Sequence, residues 1–149
     1  MADYELFQSV VKALAFGEGA KARELIEQVA DSEQREYAVY IAAAFSELAC
    51  EYFDKDHGLV AIKEFADEMA FAYRSATPPV RSIAMEILIR AIFDDDQSLD
   101  EVTPKEQLRL QIMSLRMIVH KSPEIYAQLD QHLADAQSLA IEWLSGEDP

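Results

Sequence analysis

The spacing of apolar residues constrains the fold of this chain more than any other feature of its sequence. Between residues 33 and 54, large apolar side chains recur at intervals of four and three, at Tyr37, Ile41, Phe45, Leu48 and Tyr52. This interval places all of them on one face of an α-helix. The alternation with a period of two that marks a half-buried β-strand is almost absent from the chain. The sequence therefore predicts an all-α protein.

The same periodicity, interrupted by glycine and proline, predicts about seven helices in antiparallel pairs. They are expected at about 3–16, 19–30, 33–54, 59–74, 78–93, 104–120 and 123–145. Thr77, Thr103 and Ser122 each precede a proline and are predicted to cap the last three helices, because proline fits the first helical turn. Gly17 should end the first helix and Gly146 the last. Since charge is spread evenly along the chain, residues 1–149 are expected to form a single all-helical domain.

The charge balance limits the partners of the protein. The chain carries 28 acidic and 13 basic residues, for a net charge of −15. Such a surface repels a phosphate backbone, so we expect no nucleic-acid partner and favour a protein partner that is itself basic. The single Cys50 cannot form a disulfide scaffold. With no apolar run of about 20 residues and no visible signal peptide, we expect a cytoplasmic protein that does not contact a membrane.

One part of the sequence has a repeat-like pattern. Small and bulky residues alternate in a fixed order on the third and fourth predicted helices, at Phe45, Leu48, Ala49, Tyr52, Ala61 and Phe65. Small residues let two helices approach closely, while the aromatic rings fill the gap to the next pair. This pattern resembles the tetratricopeptide repeat, and a weaker upstream copy extends the resemblance over residues 6–74.

The resemblance implies a right-handed stack of helical hairpins with a groove that binds a segment of another protein. Two positions depart from the family pattern, since Glu68 replaces a small residue and Tyr73 replaces a proline. An irregular helical bundle is the alternative architecture, because any antiparallel pair with an aromatic core produces several such matches.

The sequence contains no constellation that predicts catalysis or metal binding. A di-iron helical bundle needs Glu-x-x-His on two helices, and no histidine here follows a glutamate at that spacing. The acidic block 94–101 lacks the glycine and the final glutamate of a calcium loop. Cys50 has no histidine nearby in sequence and is predicted to be a buried filler. We therefore expect a non-enzymatic protein with no catalytic residue, no metal ligand and no cofactor.

The sixth predicted helix carries a cationic stripe. Lys105, Arg109, Arg116 and His120 lie at offsets 0, 4, 11 and 15, which project within about 60° of one another on a helix. In an acidic protein these cations require anionic neighbours. One alternative is an internal partner, such as the block 94–101 or the last helix. The other is an acidic peptide or anionic ligand, which makes these four residues the candidate binding surface.

The last predicted helix offers a second candidate surface at Tyr126 and Trp143. Trp143 continues the apolar stripe of that helix, so we expect it to be buried. If the stripe were exposed instead, an aromatic side chain of this kind would favour a dimer interface. Homodimerisation is the default expectation for a helical protein of this size.

Three functions follow from these observations. We favour a non-enzymatic adaptor or regulatory domain for protein–protein interaction. The first alternative is an acidic inhibitor or immunity-type protein that covers the active or nucleic-acid site of a basic partner. The second is a small-molecule-binding helical bundle, which requires a pocket with convergent polar groups.

Overall fold

Every regular element of the structure is helical, which confirms the all-α prediction. A computed structural model describes residues 2–94 and 99–146. Within these ranges there are eight α-helices: α1 (Tyr4–Ala15), α2 (Gly19–Glu27), α3 (Gln34–Tyr52), α4 (Leu59–Ala72), α5 (Ser82–Phe93), α6 (Pro104–Lys121), α7 (Pro123–Ala127) and α8 (Leu129–Gly146). Single 3₁₀ turns at Asp31–Glu33 and Leu99–Glu101 precede α3 and α6. None of the helices described is both long enough and apolar enough to cross a bilayer.

Helix α3 lies at the centre of the core. Its predicted stripe is confirmed, since Tyr37, Ile41, Phe45 and Leu48 are buried and Tyr52 is half-buried. It packs most extensively against α8 and then against α6, while α1 packs against α2 and α6, and α4 packs against α5. Buried alanines on α3 allow this close approach of neighbouring helices. The core therefore holds α6 and α8 in fixed positions around α3.

Most of the repeat-like positions contribute to this core. Phe45, Leu48, Ala49 and Phe65 are buried, whereas Tyr52 and Ala61 are half-buried. The end of α3 meets α4 through aromatic rings, with the Tyr52 and Phe65 centroids 5.5 Å apart. The resemblance to the tetratricopeptide repeat stays a prediction.

Two of the three predicted Ser/Thr-Pro helix starts are confirmed. The Thr103 hydroxyl accepts a hydrogen bond from the Glu106 amide at 3.1 Å, and α6 begins at Pro104. The Ser122 hydroxyl accepts one from the Ile125 amide at 3.2 Å, and α7 begins at the next residue. In both cases the side chain satisfies an amide that has no partner within the helix.

The predicted start at Thr77 is wrong. Helix α5 begins at Ser82, and its N-cap residue Arg81 makes no side-chain capping bond. Because Pro79 follows Pro78, it disfavours the helical conformation at Pro78, so no helix starts there. The Thr77–Pro78 peptide bond is cis.

The last predicted helix is divided. Gln128, with φ −114° and ψ 22°, ends α7, and α8 begins at the following residue. The predicted stripe is buried from Ile125 to Ala140, but Trp143 is 38% exposed. The prediction that Trp143 is buried is wrong, because the final turns of α8 are less covered than its first turns, as the exposed Ile141 also shows.

Candidate functional site

The last turns of α6 carry two exposed nitrogen-bearing side chains, an arginine and a histidine, between two cavities. Arg116 and His120 are both exposed and lie four residues apart, so they are neighbours on one face of the helix. A cleft of about 490 Å³ lies on one side of this pair. It is lined by Ala15, Phe16, Arg116, Val119, His120, Pro123 and Tyr126. We call this cavity the Arg116 cleft.

Two aromatic side chains also line the Arg116 cleft. Phe16 is 46% exposed and Tyr126 is 60% exposed. Their ring centroids are 5.7 Å apart with an interplanar angle of 56°. Although single exposed apolar residues are ordinary on a protein surface, two rings in contact within a concavity are typical of a binding site. The Arg116 cleft therefore combines a guanidinium and an imidazole with an accessible apolar surface.

The Arg116 guanidinium lies against the end of α1. The Glu18 amide donates to the Ala13 carbonyl at 2.8 Å and the Gly17 amide to the Leu14 carbonyl at 3.2 Å, which is the Schellman arrangement. Gly17 has φ +74°, a conformation that glycine adopts without a steric penalty. A Cβ at this position would lie 3.0 Å from Cζ of Arg116. The missing side chain at Gly17 thus leaves room for the guanidinium.

A second cavity, of about 290 Å³, lies on the other side of the Arg116–His120 pair. We call it the Lys121 groove; it is lined by Glu68, Ala72, Tyr73, Arg116, Met117, His120 and Lys121. The Lys121 ammonium contacts both carboxylate oxygens of Glu68, at 2.6 and 2.7 Å. This hydrogen bonding is the main reason that the pKa of Lys121 is raised from its ordinary value. Lys121 is therefore charged and already has its counter-ion.

Arg116, unlike Lys121, has no counter-ion in the part of the chain that the structure describes. The ion pairs there include Lys121 with Glu68, Lys12 with Asp130 and Arg81 with Glu106, and none of them involves Arg116. A guanidinium presents a planar set of donors that matches a carboxylate with two parallel hydrogen bonds. In a protein with 28 acidic residues, an exposed arginine without an ion pair of its own is available for an external carboxylate.

The four residues of the predicted cationic stripe have different surroundings along α6. Arg109 donates to the Pro78 carbonyl at 2.5 Å, near the segment that precedes α5. Lys105 is exposed in the first turn of α6, far along the helix from Arg116 and His120. Those last two residues line the same two cavities. Within the predicted acidic partner block, residues 95–98 lie outside the described residues.

Sequence reasoning did not identify Phe16 or Lys121 as part of this site. The available signal for Phe16 was its position: it is an apolar residue at the end of a helix, directly before the glycine that reverses the chain. Lys121 follows His120 but lies outside the predicted stripe. Its pairing with Glu68 joins residues that are 53 positions apart, so local spacing could not indicate it.

A separate cluster has the donor atoms of a metal site. Glu47, His132 and Asp135 each offer one ligand atom, and these atoms all lie within 4.8 Å of one another. Nδ1 of His132 is buried and has no hydrogen-bond partner. The cluster joins α3 to α8.

Comparisons with other proteins add no assignment to this geometry. No family model, curated protein or solved structure matches the chain.

Proposed function

We propose that this protein is a non-enzymatic interaction domain whose Arg116 cleft binds a short acidic segment of a partner protein. The observation that carries the proposal is the exposed Arg116 guanidinium, which has no carboxylate partner among the described residues and lines the same cleft as the contacting rings of Phe16 and Tyr126. A carboxylate of the segment pairs with Arg116, and a neighbouring apolar side chain packs on the rings. Aromatic and arginine side chains supply most of the energy of protein interfaces.

Two adjoining cavities favour a peptide over a small molecule. The Arg116 cleft and the Lys121 groove share Arg116 and His120 as a common wall. An extended segment that crosses this wall uses both cavities, whereas a small molecule of ordinary size fills one. The acidic segment pairs with Arg116 rather than Lys121, because Glu68 already neutralises the latter.

The net charge of −15 bears on the rest of the partner. An acidic protein attracts cationic partners at long range, and opposite charges accelerate the encounter. We therefore infer a basic partner in which an acidic and apolar segment is flanked by lysine or arginine. The single cysteine fits a reducing, cytoplasmic setting for this interaction.

A labelled peptide tests the proposal directly. The probe is a fluorescein-labelled peptide with a Glu-Phe-Glu core and two lysines at each end, titrated with the full chain at low salt and followed by fluorescence anisotropy. Arg116→Gln should weaken binding about tenfold, which corresponds to about 1.4 kcal/mol. Lys105→Gln is the matched control, because it removes the same charge about 16 Å away along α6. It should leave the affinity within about twofold, a change that corresponds to less than half a kcal/mol.

Two further measurements separate this function from the alternatives. Tyr126→Ala should also weaken peptide binding, because the apolar contact with the aromatic rings is part of the site. Full displacement of the peptide by inorganic phosphate would favour a small-anion site instead. Equal affinities of Arg116→Gln and Lys105→Gln would contradict the proposal and would leave the acidic-inhibitor function as the better hypothesis.

A further inference from the structure

His132 is buried at the interface between α8 and α3 without a hydrogen bond for one of its ring nitrogens. The residue is 9% exposed, and its Nδ1 atom has no hydrogen-bond partner. This nitrogen lies 3.6 Å from Oε1 of Glu47. A buried polar atom without a partner is costly, because it has lost its hydrogen bonds to water.

Asp135 completes a set of three donor groups around this position. It follows His132 by three residues on α8, so both side chains lie on one face of the helix. The ligand atoms of Glu47, His132 and Asp135 lie within 4.8 Å of one another. Because α3 and α8 are the most extensively packed pair of helices, the core fixes the separation of Glu47 from the other two.

The separation of His132 from Glu47 agrees with joint coordination of a metal ion. At 3.6 Å the two atoms are too far apart for a hydrogen bond. Nitrogen and carboxylate oxygen ligands bind Zn²⁺ at about 2.0–2.2 Å, and two such ligands at a tetrahedral angle are about 3.3–3.6 Å apart. The distance between these two atoms is therefore compatible with two ligands of one ion.

We propose that Glu47, His132 and Asp135 form a site for a divalent transition-metal ion of the zinc class, with solvent completing the coordination. An imidazole nitrogen selects for such ions, whereas Mg²⁺ and Ca²⁺ prefer oxygen ligands alone. The Glu47 side chain is 29% exposed and Asp135 is exposed, so an ion reaches the site from solvent. The ion joins α3 to α8 independently of the Arg116 cleft.

The residue spacings that identify helical metal sites in a sequence do not include this set of three ligands. The familiar di-iron pattern is Glu-x-x-His, whereas this helix carries His-x-x-Asp and the third ligand comes from a helix far upstream. Only the packing of α8 on α3 brings the three residues together.

Metal titration of the full chain tests the proposal. After removal of metals with a chelator, the protein is titrated with Zn²⁺ by calorimetry and with Co²⁺ by visible absorption, and its thermal midpoint is measured with each ion. We expect one equivalent to bind and the midpoint to rise, because an ion that binds only the folded state stabilises it. Mg²⁺ and Ca²⁺ at the same concentrations should have no comparable effect.

Variants locate the bound ion. His132 is buried, so its substitution can affect folding. The variants are therefore made at the two more accessible ligands, Glu47 and Asp135. E47Q and D135N should each weaken Zn²⁺ binding about tenfold or more. Two controls should leave it unchanged: E51Q, which replaces an exposed glutamate one turn further along α3, and H120Q, which removes an exposed histidine.

Three results would overturn the proposal. The first is no saturable binding of Zn²⁺ or Co²⁺, which would make the cluster a simple ion pair of His132 with Glu47. The second is Zn²⁺ binding that E47Q and D135N leave unchanged. The third is a thiolate charge-transfer band in the Co²⁺ spectrum, which would place the ion at Cys50.

Discussion

Gly17 and Gly19 lie in the same turn, yet alanine should have opposite effects at the two positions. Gly17 has φ +74°, and a Cβ there would lie 3.0 Å from the guanidinium of Arg116. Gly19 is the first residue of α2, and a Cβ there would have no other atom within 4 Å. The pair therefore separates the backbone requirement at Gly17 from a general effect of removing glycine from this turn.

The expected magnitudes follow from these environments. A residue with a Cβ in the left-handed conformation costs about 1–2 kcal/mol, and the flexible end of Arg116 can move aside at little additional cost. Gly17→Ala should therefore lower the free energy of unfolding by about 1–2 kcal/mol. For a chain of this size, that corresponds to a decrease in the thermal midpoint of roughly 2–8 °C. Gly19→Ala should raise the free energy of unfolding by about 0.4–1 kcal/mol, chiefly because alanine restricts the unfolded chain.

Urea unfolding followed by circular dichroism measures both changes, and anisotropy with the labelled peptide measures their effect on the Arg116 cleft. Gly17→Ala should also weaken peptide binding, because the new methyl group displaces the guanidinium, whereas Gly19→Ala should not. Stability changes of the same sign in both variants would refute the conformational argument. Unchanged peptide affinity in Gly17→Ala would refute the proposed link between this turn and the cleft.

Three further predictions concern the core and its ionisable groups. Leu48→Ala, at a fully buried position of α3, should lower the free energy of unfolding by about 2–5 kcal/mol in urea, and an unchanged midpoint would contradict the central place of α3. The Tyr37 hydroxyl is buried without a partner, so Tyr37→Phe should raise the free energy of unfolding by about 1 kcal/mol. Because burial raises the pKa of Tyr37 to about 12, this variant should also lose a late component of the alkaline absorbance titration, while Tyr40, whose pKa burial raises further, still titrates last. The hydrogen bond from Arg81 lowers the pKa of Glu106 from its ordinary value of 4.5, so its stabilisation is present above pH 4.5 and is lost as pH falls through the lower folded value. The difference in thermal midpoint between wild type and Glu106→Gln should thus be largest near neutral pH and should disappear on acidification, and a difference independent of pH would contradict it.

Much of the fold was predictable because local chemistry decides it. The stripe on α3 reflects helical periodicity, and the starts of α6 and α7 follow from a hydroxyl next to a proline at Thr103 and Ser122. The same signal failed at Thr77 because a second proline follows the first, and the restriction that Pro79 places on Pro78 prevents a helical start. The Ser/Thr-Pro rule thus predicted the helix start correctly where a single proline follows the hydroxyl residue, and it failed where a second proline restricts the first.

The candidate site was less predictable because it depends on contacts between distant segments. The cationic stripe was correctly placed on one helix, but tertiary contacts divide it: Arg109 binds the Pro78 carbonyl, while Arg116 lies beside Phe16 in the cleft. Charge along a helix indicates which residues share a face but not which of them find partners. The sequence did not indicate the cluster of Glu47 and His132 for the same reason, because the two residues lie on different helices.

Chemical-shift mapping with the same peptide directly tests whether the Arg116 cleft is the docking site. The uniformly ¹⁵N-labelled protein is titrated with the unlabelled peptide, and the amide shifts are followed to saturation. We expect the largest changes to cluster at the end of α1, the last turns of α6 and the start of α7, around Phe16, Arg116, His120 and Tyr126, and we expect Arg116→Gln to suppress them. Changes spread over the surface, or centred elsewhere while these amides stay fixed, would contradict the assignment of the Arg116 cleft as a docking site.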